Sequence, residues 1–241
     1  MRLARFLALA GVASRRQAEK YITAGKVTVN GNQVVDPAFA VDEKDRVEVD
    51  GQRLKLDARI YLLLYKPPGY ITTVIDPQGR PKVVDLIPQL TGRVYPVGRL
   101  DQDTAGLLLL TNDGEFANLI MHPRYEIKKT YQALVAGKVS PQALRFLRQG
   151  VALEDGRTAP ARAEILQEFR GNTLLEIEIH EGRKRQVKRM CAAVGHPVLS
   201  LTRTGLSFLH LDGLKPGQYR CLTDGEVERM KRLARTRGRE R

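Results

Sequence analysis

Four leucines in succession, Leu107–Leu110, constrain the fold of this chain more than any other feature. A segment that is apolar at every position has no face to give to water. At this length, bounded by turn residues, it reads as a strand covered on both sides. The run follows Pro96-Val97-Gly98-Arg99-Leu100-Asp101-Gln102-Asp103-Thr104-Ala105-Gly106, a glycine-flanked loop with two acids. A loop held against a rigid strand suits a reactive group. Acids before Gly or Thr also cap turns, so chemistry alone does not choose between Asp101 and Asp103.

A second apolar run, Tyr61-Leu-Leu-Leu-Tyr65, fits another buried strand, broken by the rigid turn Lys66-Pro67-Pro68-Gly69. Periodicity predicts further strands over 71–74, 94–95, 130–135, 161–166 and 173–179. It predicts helices over 115–121, 141–148 (with a proline in the first turn) and 184–194. Strands and helices do not alternate as a doubly wound sheet requires. The expected class is α+β, with a mixed, largely antiparallel sheet.

Residues 1–56 read as a separate small module, 57–60 as a linker, 61–224 as the larger domain and 225–241 as a basic tail. In the module, Leu3, Phe6, Leu7 and Leu9 recur at helical spacing up to Gly11. Ser14 is the expected N-cap of a second helix over 15–23, with Arg15, Arg16 and Lys20 on its polar side. Short strands over 27–29 and 33–35 meet at Asn30-Gly31, a hairpin turn signal, and Val47, Val49 and the Asp50-Gly51 turn imply another pair.

The chain carries 40 Lys+Arg against 27 Asp+Glu, a formal charge of +13, which attracts polyanions. Basic residues at a helix N-terminus suit phosphate. The tail, with Lys231, Arg232, Arg235, Arg237, Arg239 and Arg241, reads as a basic helix fraying into an arm that adds salt-sensitive affinity for nucleic acid. Two cysteines and four scattered histidines give neither a disulfide framework nor zinc-ligand spacing. The N-terminal apolar run is too short and too charged for a signal segment or a membrane span, so the expected location is cytoplasmic, with no membrane partner.

The stretch from Arg2-Leu3-Ala4-Arg5-Phe6 through Ser14-Arg15-Arg16-Gln17 to Gly25-Lys26-Val27-Thr28-Val29-Asn30-Gly31 resembles the S4 RNA-binding domain. The resemblance implies docking on structured RNA through shape and phosphates, with Arg2, Arg5, Ser14, Arg15, Arg16, Lys20 and Lys26 at the contact. The Pro96-to-Gly114 segment resembles the catalytic motif of the bacterial ribosomal pseudouridine synthases that carry an S4 domain. Three further stretches agree: 65–70, 126–131 and 181–190.

The resemblance implies that Asp101, after Gly-Arg-Leu, is the essential aspartate. Tyr131 packs on the target base, Leu201 walls the pocket, and Lys188 faces the aspartate where relatives commonly carry Arg. An ammonium keeps the charge without the planar fork. Arg99, Arg183, Lys184, Arg185 and Arg189 are the expected phosphate contacts. The implied reaction detaches uracil from its ribose, turns it and rejoins it through carbon, with no metal, redox agent or other cofactor. Lys66-Pro67-Pro68-Gly69 and Asn112-Asp113-Gly114 look most like the branch acting on 23S ribosomal RNA near the peptidyl-transferase centre, either as free RNA or in a large-subunit assembly intermediate. One cleft and one front module suffice for a monomer. The alternatives are the same reaction on 16S ribosomal RNA and a noncatalytic assembly factor. Plain phosphate binding has no use for a buried acid, and no glycine-rich cofactor fingerprint supports a methyltransferase.

Overall fold

The computed structural model describes residues 1–42 and 44–237. Arg239 and Arg241 of the expected basic arm lie outside them. The chain divides into two bodies, residues 1–60 with 90–93, and residues 61–89 with 94 onward.

In the first body, helices α1 (Leu3–Leu9) and α2 (Arg15–Thr23) precede strands β1 (Val27–Val29), β2 (Asn32–Gln33), β3 (Val47–Val49) and β4 (Gln52–Arg53). Ser14 caps α2, its side chain accepting from the Gln17 N–H at 3.2 Å. Asn30 and Gly31, at φ 53° and 84°, and Asp50 and Gly51, at 48° and 79°, take the left-handed pairs that two-residue hairpin turns require. These turns set the strand order β2-β1-β3-β4. Leu3, Leu7, Ala18, Ile22, Val27 and Val47 are fully buried, so the apolar stripes of both helices pack with one face of the small sheet.

The second body contains β5 (Tyr61–Lys66), a 3-10 turn (Val83–Leu86), β6 (Tyr95–Val97), β7 (Ala105–Thr111), α3 (Gly114–Met121) and β8 (Lys129–Val135). It continues with α4 (Pro141–Gln149), β9 (Ala152–Leu153), β10 (Gly156–Arg157), β11 (Arg162–Phe169), β12 (Asn172–Ile179) and α5 (Gln186–Ala193). Strands β13 (Val198–Leu206), β14 (Leu209–His210) and β15 (Tyr219–Cys221) and helix α6 (Asp224–Arg237) complete it. The main sheet runs β11-β12-β8-β13-β7-β5-β15, with β6 beside β7 and β14 beside β13. All of these pairings are antiparallel except β13 with β7, so the sheet is mixed and largely antiparallel, as the pattern of elements predicts. Leu107–Leu110 are buried on both faces of β7.

Three expectations change. Residues 71–74, rich in β-branched side chains, form no strand. Ile71 makes only an isolated bridge to Lys82, and the Thr72 hydroxyl bonds instead to Leu100 of the acid-bearing loop. The nine-residue β13 was not expected, and it is the strand that joins the two halves of the sheet. Lastly, the segment read as a tail from 225 is the packed helix α6 as far as Arg237, because Val227, Met230 and Ala234 recur on one face and are buried in the core. No helix among the described residues is long and apolar enough to cross a membrane.

The α6 entrance is fixed by Glu226, which accepts two bonds from Arg220 at 2.8 and 2.9 Å and one from the Thr223 N–H at 2.8 Å. The Arg220 guanidinium, aided by Thr223, holds the Glu226 carboxyl down to about 2. A depressed carboxyl stabilises the fold above its ordinary value of about 4.5, and the contribution is lost as pH falls from there toward 2. Glu226→Gln is therefore expected to cost about 1–2 kcal/mol at pH 7. In thermal melts, the gap between parent and variant should narrow as pH falls below 4.5.

Candidate active site

The loop before β7 is fixed from below by a buried cation. Lys66, fully buried at the end of β5, donates from Nζ to the carbonyls of Thr104 at 2.7 Å, Pro67 at 3.1 Å and Gln102 at 3.3 Å. Gly69 N–H donates to Gln102 O at 2.8 Å, and the Gln102 side chain donates back to Gly69 O at 3.1 Å. The Lys-Pro-Pro-Gly turn and the acid-bearing loop are thus one unit. Burial pushes the Lys66 amine down to about 8, against the opposing pull of Asp103 and Asp101. The sequence hints at this role only through a lysine that ends an apolar strand.

Asp101 and Asp103 share one partner. Lys188 Nζ, on α5, lies 2.6 Å from Asp103 Oδ1 and 3.7 Å from Asp101 Oδ2. The short hydrogen bond goes to Asp103, not to Asp101 as the resemblance implies, and it holds the Asp103 carboxyl below the usual range. The two acids face different surroundings. Asp101 lines a cleft of about 1430 Å³, whereas Asp103 is not among its lining residues and its side chain is 64% exposed.

Tyr131 and Leu201 line the same cleft and are nearly buried. Tyr131 on β8 sits between Ile177 of β12 and Arg203 of β13 in the strand register, and Leu201 sits two residues before Arg203. Alternation along β13 turns Leu201 and Arg203 to one face. Lys129, also in the lining, donates to the carbonyls of Ile127 at 3.0 Å, His180 at 3.2 Å and Glu181 at 3.4 Å. Burial, with the nearby Arg203 charge, pushes its amine down to about 8.

The basic residues divide by what they hold. Arg99, Lys184 and Arg185 are exposed and line the cleft. Arg183 and Arg189, expected at phosphates, are committed to protein acceptors. Arg183 donates to the carbonyls of Asp155, Gly156 and Arg157 and to Glu181, and Arg189 grips Asp155 with two bonds of 2.9 Å. They strap the β9–β10 hairpin to α5. In the first body, Arg2, Arg15, Arg16 and Lys20 are exposed, and Arg5 is half-buried. Lys26 lies 3.9 Å from Asp50, and Ser14 is occupied as a cap. Cys191 is buried and its thiol is pushed up to about 12, so it offers no thiolate at neutral pH.

A carboxylate, an aromatic ring and an apolar wall converge in a cleft with a basic rim. The arrangement suits a planar base brought against a nucleophile, with phosphates held outside.

Comparison with known proteins gives the family. Residues 60–193 match the family model described as RNA pseudouridylate synthase, and residues 1–47 match the S4 domain. The chain is 49% identical over 235 residues to the ribosomal large subunit pseudouridine synthase B of Bacillus subtilis, covering 97% of this chain and 96% of the relative. It is 47% identical to an uncharacterized RNA pseudouridine synthase of Aquifex aeolicus, over 95% of this chain and 93% of that one. A crystal structure of a pseudouridylate synthase superposes with a TM-score of 0.67 at 32% identity, covering 95% of this chain and 99% of that one. The chain therefore belongs to the RNA pseudouridylate synthase family, with an S4 domain at its front.

Proposed function

We propose that this enzyme isomerises one uridine of 23S ribosomal RNA, in the peptidyl-transferase region, with Asp101 as its essential carboxylate. One observation carries the reading: of the two acids in the loop, Asp101 is the one that borders the cleft shared by Tyr131 and Leu201. The name of the Bacillus relative supports the large-subunit assignment.

In this reading Asp101 attacks the ribose C1′ or the ring C6. Tyr131 stacks on the extruded base, Leu201 excludes water, and Lys188 supplies positive charge beside the carboxylate. Arg99, Lys184 and Arg185 hold the flanking phosphates, and the exposed basic residues of the S4 domain add sequence-independent affinity. The sum of the steps is redox-neutral. The C1′–N1 bond is replaced by C1′–C5, the C5 proton leaves, and N1 gains one.

The test is to incubate the enzyme with protein-free 23S and 16S RNAs and with partly assembled subunits, then map new pseudouridines by chemical tagging and primer extension. A single new site in 23S RNA or its particles is the expected result. A site in 16S RNA instead would overturn the substrate assignment. A Lys184→Glu/Arg185→Glu variant should weaken RNA binding about tenfold or more at moderate salt. Its plot of log affinity against log salt should be shallower by about 1–2, as expected when phosphate contacts are lost.

A further inference from the structure

The roles above leave a buried charge of the cleft, Arg203, without a task. Arg203 lines the cleft yet is only 4% exposed. Its Nε donates to Leu107 O at 2.7 Å, where β7 passes from its pairing with β13 at Ala105–Gly106 to its pairing with β6 at Leu109–Thr111. Its Nη2 is buried and meets no hydrogen-bond partner. Among the described residues, no carboxylate lies within ion-pair distance of Arg203 or of neighbouring Lys129, whose ammonium is held by carbonyls alone. Lys188, by contrast, has two carboxylates. A buried guanidinium with an unmade bond is costly, and native proteins rarely retain one without a use.

The position of Arg203 decides what that use is. It is the direct cross-strand neighbour of Tyr131, on the strand that also carries Leu201. It is buried, whereas Arg99, Lys184 and Arg185 already offer exposed charge at the rim for phosphates. A base lying on Tyr131 would bring its carbonyl edge, not its phosphate, to this end of the cleft. These carbonyls are neutral in the bound uridine and become anionic during the reaction. When Asp101 attacks C1′, the N1–C1′ electron pair stays on the ring and spreads over N1, O2 and O4. If Asp101 adds to C6 first, the C5=C6 π pair moves onto O4 as an enolate, and the N1–C1′ bond breaks afterwards. In both routes the charge returns to carbon as C5 bonds to C1′ and the carboxylate departs.

We propose that Arg203, with Lys129 behind it, is a further catalytic residue. Its guanidinium, at the edge that borders the cleft, donates to a carbonyl oxygen of the target pyrimidine and stabilises the negative charge that the ring carries between detachment and reattachment. The inference rests on the reaction proposed above. A donor aimed at charge that develops only in transit raises the rate without tightening substrate binding.

The experiment uses the full-length enzyme and a short RNA bearing the mapped target as uridine, 4-thiouridine or 2-thiouridine. Arg203→Gln removes the charge while keeping an amide able to reach Leu107 O, and Arg203→Lys keeps the charge and loses the fork. Both are checked for folding by circular dichroism and melting. On uridine, Arg203→Gln should react on the order of 10²–10³-fold more slowly at saturating RNA, with the RNA dissociation constant within about threefold of the parent. Arg203→Lys should fall between the two. Sulfur is a poor acceptor and carries negative charge well, so on at least one thio substrate the gap between parent and variant should shrink about tenfold or more, the coupling expected of groups in contact.

Equal deficits on all three substrates, or a folded Arg203→Gln enzyme within about tenfold of the parent, would overturn the proposal. Asp101→Asn is run alongside. If that variant stays active while the thio effect appears, the aspartate assignment fails and Arg203 stands. If it is inactive and the thio effect is absent, Arg203 alone fails.

Discussion

Asp101→Asn is expected to bind RNA as the parent does, melt at the parent's temperature and leave the target uridine unchanged, with the rate reduced on the order of 10⁴-fold or more. The substitution preserves shape and removes the proposed nucleophile. It should be structurally mild because the Asp101 side chain is 36% exposed and its nearest cation, Lys188, stays bonded to Asp103 at 2.6 Å. Asp103→Asn is the informative companion. Asp103 lies outside the cleft lining, so this variant should keep its activity within about tenfold. Removing its carboxylate also frees Lys188 to turn fully to Asp101. Single-turnover assays of both variants read the two acids against each other, and an inactive Asp103→Asn beside an active Asp101→Asn would exchange their roles.

Gly106→Ala is expected to be the most damaging methyl group that can be added to the catalytic domain near its site. Gly106 has φ +116°, and a Cβ there would stand 2.2 Å from the carbonyl oxygen of Arg203 and 2.5 Å from its nitrogen. Both clashing atoms are backbone of β13, so no side-chain rotation relieves the overlap. The parallel β7–β13 contact has to open. A loss of about 3–5 kcal/mol is expected, which for a domain of this size lowers the melting temperature by about 10 °C or more. Gly171→Ala, at φ +78° with open space around it, separates backbone strain from collision and should cost only about 1 kcal/mol. Because β13 also carries Leu201 and Arg203, the Gly106 variant should lose activity even below its melting temperature.

Local chemistry is legible in the sequence. Ser14 caps its helix, Asn30-Gly31 turns its hairpin, and the leucines of β7 are covered on both sides. Asp101, Tyr131 and Leu201 carry resemblance strong enough to be grouped, and they do line one cleft. Two kinds of feature escaped. Lys66 and Arg203 are defined by which carbonyls or vacant sites a distant segment brings to them, and nothing next to either residue in the sequence encodes that. Arg183 and Arg189 show the converse. A dense basic run resembles a phosphate grip, but Asp155, some thirty residues earlier, had already claimed both guanidiniums. β13 was missed because its centre, Thr202-Arg203-Thr204, is a polar run, although it lies in the middle of the sheet, beside a cleft, where a half-polar strand is permitted.

The place of β13 in the sheet has a consequence for synthesis. Strands β5 to β7 leave the ribosome early, and β8, β11 and β12 follow, but these two half-sheets pair only through a strand that ends at Leu206. Until then the nascent chain carries the open edges of β7 and β8, the kind of surface that invites mispairing and needs shielding. The final closure joins segments far apart in the sequence and is correspondingly slow. Asp101 belongs to the first half, Tyr131 to the second, and Leu201 and Arg203 to the strand that unites them. On the roles proposed for these residues, a partly made polypeptide has its S4 domain before it has a place to do chemistry, and modification cannot begin until β13 has been made.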